Sequence, residues 1–391
     1  MCFFTTKYFM LMKFFFCNLI FLLVIHANFA QSIQGKLLDA NTKETIVGAN
    51  VFIANTSVGT VSNEKGEFLI PKSPQKNIDL IFSMTGYETL AIPILLDTLG
   101  NKPLTVLLKE KVDKIEGIVV KDKNPNWQTN YNIFKLHFLG ETENAKNCII
   151  KNPEILNLQF QKRVFKASAD DMLIIENKNL GYIIKYKLSG FVVDFDKGYF
   201  VILGYPLFEL MKGTKSQEKR WKKRRLQTYL GSSLHLMRSM YQNNWEEQRF
   251  TLRRLERKPN PERLPDSLIR AKIKKFLKEN KQDSVRYWIK QQKIPSIIQF
   301  LHSNPLKPAD SLVTNADNKL KKLTFSDNIQ INYFPKGNSE KMQTSIITFF
   351  KPFVFLQEDG YVIEALDLIY EGYMPLKKVA DLLPLDYQEG Q

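Results

Sequence analysis

Histidine, cysteine and complete catalytic motifs are what this chain has least of. Only four histidines occur in 391 residues, and three of them, His137, His235 and His302, lie beyond the first thirty. A zinc peptidase needs a His-x-x-Glu pair and a distant third ligand that together leave one coordination position open. None of the three histidines is followed at the third position by Glu. No metal, no cofactor and no catalytic residue is therefore assigned, and zinc peptidase chemistry is set aside. The cysteines are Cys2, Cys17 and Cys148. Cys148 stands alone in Asn147-Cys148-Ile149-Ile150, so it reads as a buried structural thiol. Asp194-x-Asp196-x-Gly198 lacks the further carboxylates of a calcium loop and reads as a turn. Ser232 and Ser233 follow Gly231 without completing Gly-x-Ser-x-Gly.

Long apolar runs are equally scarce, with one exception at the start. Lys7 and Lys13 lead into the apolar run Phe14 to Ile25 and then the small residues around Ala27 and Ala30. That order is expected of a cleavable export signal over residues 1–30, with a mature chain that starts at Gln31 and sits in the periplasm or envelope. No later stretch has the length of a transmembrane segment.

Acidic residues are outnumbered, and the imbalance is local. The whole chain has 56 Lys and Arg against 40 Asp and Glu, whereas Met211 to Lys293 alone has 24 against 8. Asymmetry of this kind points to an anionic partner. For an exported protein this means an anionic envelope surface or another envelope protein, and nucleic acid is not expected. The densest cluster is Lys219, Arg220, Trp221, Lys222, Lys223, Arg224 and Arg225. It reads as a binding face at the start of a helix over Gln217 to Gln242, with Trp221 as an interfacial aromatic. The competing reading is a set of solvated cations, or cations paired locally with Glu218, Glu246 and Glu247.

Between Gln31 and Lys111, short alternating runs (Ser32 to Leu38, Ala49 to Ala54, Gly66 to Ile70, Asp79 to Ser83, Leu104 to Leu108) are separated by polar turns. This pattern predicts an all-β sandwich. Four segments in order, Gly35 to Asp39, Ile46 to Ile53, Ser57 to Phe68 and Met84 to Tyr87, resemble the carboxypeptidase-regulatory-like domain. The resemblance implies a transthyretin-like sandwich of about seven strands that is a companion module and does no chemistry itself. Ile115 to Val120, in a charged connector over 112–123, is similar to the segment that follows this module in TonB-dependent receptors.

Residues 124–391 predict an α+β domain. A helix is expected over Asn130 to Leu139, strands over Leu158 to Leu210, a helix over Leu268 to Lys278 and loops at Arg257 to Pro261 and Asn304 to Pro308. Strands are expected again from Ile329 to Ile369, then a last helix over Leu376 to Leu383. Ser168 to Asn177 and Ala380 to Tyr387 resemble exported proteins named only for the same sandwich. The expectation is a non-catalytic, exported binding or interaction protein. Two alternatives stand beside it: a hydrolase or transferase with an unrecognised carboxylate site in the second domain, and an accessory protein of a TonB-dependent uptake system.

Overall fold

Apolar residues at every second position of the first segment turn inward on two facing sheets. The computed structural model describes residues 32–70, 77–100, 102–111, 125–317, 319–336 and 341–391. The expected export signal and the connector over 112–123 lie outside the described residues. Contacts divide the chain into two units, Met1–Ile53 with Val58–Val112, and Ala54–Ser57 with Asp113–Gln391.

In the first unit the strands are β1 (Ile33–Asp39), β2 (Asn50–Ile53), β3 (Gly59–Val61), β4 (Glu67–Ile70), β5 (Asn77–Ser83), β6 (Leu90–Leu95) and β7 (Leu104–Leu108). One sheet has the order β4-β1-β7 and the other β3-β2-β5-β6, and β1 and β7 run parallel. Ile33, Leu37, Val51, Phe68, Leu80, Phe82 and Val106 fill the space between them. The expected sandwich is thus observed. At Gly48 a Cβ would meet nothing within 4 Å, but φ is +79°, which favours glycine.

The second unit is α+β, as expected. β8 (Cys148–Ile150), β9 (Leu156–Gln161), β10 (Val164–Ala169), β11 (Leu173–Asn177), β12 (Tyr182–Asp194) and β13 (Tyr199–Leu210) form an antiparallel sheet. Its order is β8-β11-β12-β10-β9, with β13 paired along the length of β12. The helix over Trp127–Leu139 lays Phe134 and Phe138 on this sheet, where their rings meet Phe191 and Tyr186 at 5.0 and 5.1 Å. Such aromatic contacts add to the area they bury. The Asp194 to Gly198 segment is the β12–β13 turn, in which the Asp194 carboxylate accepts from the backbone of Asp196 and Lys197.

A second core gathers on β14 (Phe250–Pro259), β15 (Ile297–Leu306), β16 (Val313–Asn315), β17 (Lys321–Thr324), β18 (Asn328–Tyr333), β19 (Gln343–Phe349), β20 (Phe353–Leu356), β21 (Val362–Ile363) and β22 (Leu368–Gly372). The sheets are β15-β14-β18-β19-β22 and β16-β17-β20-β21. Several expectations are corrected here. Arg257 to Pro259 and Asn304 to Leu306 are strand rather than loop, because β15 is an edge strand and an edge tolerates Pro305. The single helix expected over Gln217 to Gln242 is two, α1 (Lys215–Tyr229) and α2 (Ser233–Gln242). Gly231 at φ +74° breaks them, and the Ser232 hydroxyl caps the second. Two further helices, α3 (Asp266–Lys278) and α4 (Gln282–Lys293), join β14 to β15, the second of them unanticipated. The last expected helix is a pair of 3-10 turns, Met374–Leu376 and Val379–Asp381.

Candidate functional site

The basic cluster sits in the middle of α1. Thr214 caps the helix by accepting from the Gln217 backbone, and the Gln217 side chain accepts from the Thr214 backbone in return, at 3.3 and 2.8 Å. The helix therefore starts four residues before Lys219. Dipole effects are confined to the first turn, where Glu218 lies, so the cluster is placed beyond most of the unfavourable field of the helix N-terminus.

Helical spacing then sorts the seven residues. Trp221, Arg225, Thr228 and Tyr229, at i, i+4, i+7 and i+8, are buried on the first sheet of the unit. Trp221 is 7% exposed, so it is a packing residue and not an interfacial one. Its indole N–H donates to the Lys178 carbonyl at 2.9 Å, and its ring occupies a slot between Gly181 and Gly213. A Cβ at Gly181 would lie 2.2 Å from the ring. Arg225 also points inward, donating to the Leu180 carbonyl at 2.7 Å and the Gly181 carbonyl at 3.1 Å, with its guanidinium 4.2 Å from the centre of the Tyr182 ring. These contacts clamp the β11–β12 turn and fix the orientation of α1.

The other five residues face outward. Lys219, Arg220, Lys222 and Lys223 are exposed and Arg224 is half-buried. Among the described residues none of the five has a carboxylate partner. The local pairing considered for them is not formed, because Glu246 pairs instead with Lys307 at 2.5 Å. Arg220 and Arg224, one turn apart, border a cleft of about 290 Å³ together with Lys178, Met211, Gln217 and Trp221. Three cations around one small cleft can hold an anionic group, since guanidinium forks match carboxylate and phosphate oxygens. Lys178, Met211 and Gln217 were not singled out from sequence. They lie on a strand turn, a strand end and a helix start that only the fold brings together.

At the far end of α1, the Lys377 ammonium donates to the Thr228 carbonyl at 3.0 Å, a cation at the negative end of the helix. Burial pushes its pKa down to about 8. Near it, Asp381 is buried and accepts from the Thr142 hydroxyl and the Asn144 amide, both at 2.7 Å, and burial raises its pKa. Asn144 also donates to Thr228 and accepts from Asn179, which links four elements in one polar network. Its hydrogen-bond partners are an amide and a hydroxyl, and the Lys377 ammonium acts on it through space, so Asp381 ties these elements together.

His235 lies against the end of α1, its ring 4.7 Å from that of Tyr229. His235 accepts from the Gly231 backbone through Nδ1 and contacts Gln248 through Nε2 at 3.0 Å, and burial lowers its pKa. His302 contacts Glu256 at 2.8 Å. Cys148 is buried, which pushes its thiol up to about 12, far from the range of a nucleophile. Among the described residues no group of three or more His, Cys, Asp or Glu is placed to hold a metal ion. No helix among them is long and apolar enough to cross a membrane.

Residues 33–120 match the family model of the CarboxypepD_reg-like domain, which coincides with the sandwich and bears out the resemblance read from its motifs. No curated protein matches the chain. Among solved structures, the chain is similar to a protein of unknown function, described as membrane-associated, from Bacteroides fragilis NCTC 9343. The identity is 10% and the TM-score 0.16, over 87% of this chain and 92% of that one, so the likeness carries no argument here.

Proposed function

We propose that this is an exported, non-catalytic protein of the cell envelope whose second unit binds anionic groups on the outer face of α1. The observation that supports this reading is the set Lys219, Arg220, Lys222, Lys223 and Arg224. The fold holds it rigidly in place through Trp221 and Arg225, yet leaves it without carboxylate partners among the described residues. Five uncompensated cations on a clamped helix attract an anionic surface and repel one another in its absence. The charged leader-like start, Lys7 and Lys13 before Phe14 to Ile25, supports export.

Lipopolysaccharide is the probe for α1. Replacing Arg220, Lys222, Lys223 and Arg224 with Gln is expected to weaken its binding by about 1,000-fold at low salt, since each cation near an anionic surface contributes about 1 kcal/mol. Binding by the unaltered protein should fall as salt rises. Thermal stability should stay within about 0.5 kcal/mol, because among the described residues these side chains make no ion pairs to lose. Unchanged binding in the variant would reduce the cluster to solvated charge. Export is checked on the same preparations: the protein recovered from envelope fractions should begin at or near Gln31. Recovery with Phe14 to Ile25 still attached would remove the leader reading.

A further inference from the structure

Part of the basic excess lies away from α1, on α3 and α4. β14 pairs with β18 as far as Leu255, and from Glu256 to Pro259 it pairs with β15, so a two-stranded ribbon leads out to the helical hairpin. The base of the ribbon is pinned. Arg257 makes a bidentate pair with Glu371 at 2.6 and 2.9 Å, and Glu256 meets Lys258 at 2.7 Å. Beyond that point little is buried.

α3 and α4 have 13 and 12 residues, and each buries a single side chain, Ile269 and Val285. Helices of this length are marginal unless an apolar face is covered. Yet Leu268, Leu277, Tyr287 and Ile289 remain 39 to 55% exposed, and on the ribbon Ile297 at the tip and Phe300 and Leu301 nearer the base are exposed as well. Charge says what could cover them. Residues 260–293 hold 10 Lys and Arg against 4 Asp and Glu. Three of those acids are already engaged by neighbours: Asp266 by Arg263, Glu279 by Lys281, and Asp283 by Arg286. Arg270, Lys272, Lys274, Lys278, Lys290 and Lys293 have no carboxylate partner among the described residues.

We propose that the α3–α4 hairpin with the ribbon tip is an interfacial element that lies on an anionic lipid surface. Its cations meet the headgroups, and its exposed Leu, Ile and aromatic side chains enter the boundary between headgroups and acyl chains. Along the helices the exposed apolar residues are interleaved with cations, Leu277 beside Lys278 and Ile289 beside Lys290. A fluid headgroup layer can meet that pattern, and long lysine stems reach past the apolar level to the phosphates; a fixed protein groove would require the apolar residues to be gathered. This surface shares no residue with the α1 cleft and does not depend on the reading given for it.

The test is co-sedimentation of the full mature chain with vesicles of phosphatidylcholine containing phosphatidylglycerol, against vesicles of phosphatidylcholine alone. Binding is expected on the anionic vesicles. A variant with Arg270, Lys274, Lys278 and Lys290 replaced by Gln should bind them about 1,000-fold more weakly. All four are exposed, so circular dichroism should be unchanged. A second variant, Leu277→Ser with Ile289→Ser, keeps the charge and should also lose binding, which bulk electrostatics would not predict. Unchanged binding in both hairpin variants would overturn the proposal. So would a wild-type chain that ignores anionic vesicles but binds polyglutamate, which would make the hairpin a docking element for an acidic protein.

Discussion

A chain ending at Lys378 is expected not to fold its α+β unit. The residues that follow carry Val379, Ala380, Leu383 and Tyr387, all within the core that also contains Phe134, Phe138 and Phe191. Tyr387 is 1% exposed and Val379 2%. Burying one large apolar side chain contributes about 1.5–3 kcal/mol, so three of them approach the whole stability of an ordinary domain, about 5–15 kcal/mol. The same segment supplies the Leu385 and Tyr387 carbonyls to the Arg238 guanidinium, both at 3.0 Å, and its loss would strand a buried cation. Far-ultraviolet circular dichroism and chemical denaturation would read the result. A cooperative transition in the truncated chain would show that the tail is dispensable.

Within that tail, Asp381 separates charge from hydrogen bonding. Asp381→Ala leaves the Asn144 amide and Thr142 hydroxyl without their acceptor and is expected to cost about 1–3 kcal/mol. Asp381→Asn can keep both contacts, since its oxygen still accepts from Asn144 and its amide can donate to the Thr142 hydroxyl. The sign with pH follows from the raised pKa. The folded state holds the Asp381 proton more tightly than the unfolded one, so the cost of the buried carboxylate is full above the folded pKa and is relieved as pH falls toward 3.8. Asp381→Asn should therefore gain on the wild type at neutral pH and lose that advantage in acid. A constant difference across this range would mean that the carboxylate is not desolvated.

Trp221→Ala is expected to destabilise the α+β unit by about 3–5 kcal/mol, the usual range for deleting a buried indole. The ring fills the slot between Gly181 and Gly213, and its removal also leaves the Lys178 carbonyl without its donor. Gly181→Ala should approach the same loss from the other side, because it combines a 2.2 Å contact with the indole and a φ of +69° that disfavours any side chain. The four-fold Gln variant on the same helix should change stability little. Denaturation midpoints of the three proteins, compared at one pH, make the contrast. A Trp221→Ala loss below about 0.5 kcal/mol would return the indole to the surface.

The same helix shows how far sequence reading reached. Its charges were plain, and so was their uneven distribution, because charge is a property of residue type. Which of them face water was not legible, because Lys, Arg and Trp in one run carry no contrast of period. The inward positions Trp221 and Arg225 are set by the β11–β12 turn they grip, some 45 residues earlier in the chain. Arg225 illustrates the difficulty: it is buried without a carboxylate and is satisfied by two carbonyls and an aromatic face, none of which a motif announces.

What the sequence determined by itself is the sandwich, through alternation and turn residues that act within a few positions, together with the α+β character of the remainder and the siting of positive charge. Local steric preference and hydrophobic period suffice for these. Tertiary structure alone decided that one expected helix is two, that Asn304 to Leu306 is an edge strand, and that the final segment closes a core begun some 240 residues earlier. It also decided which cations are clamped and which are free. Those outcomes depend on contacts between distant segments, whose energies are comparable to local propensities and carry no local trace.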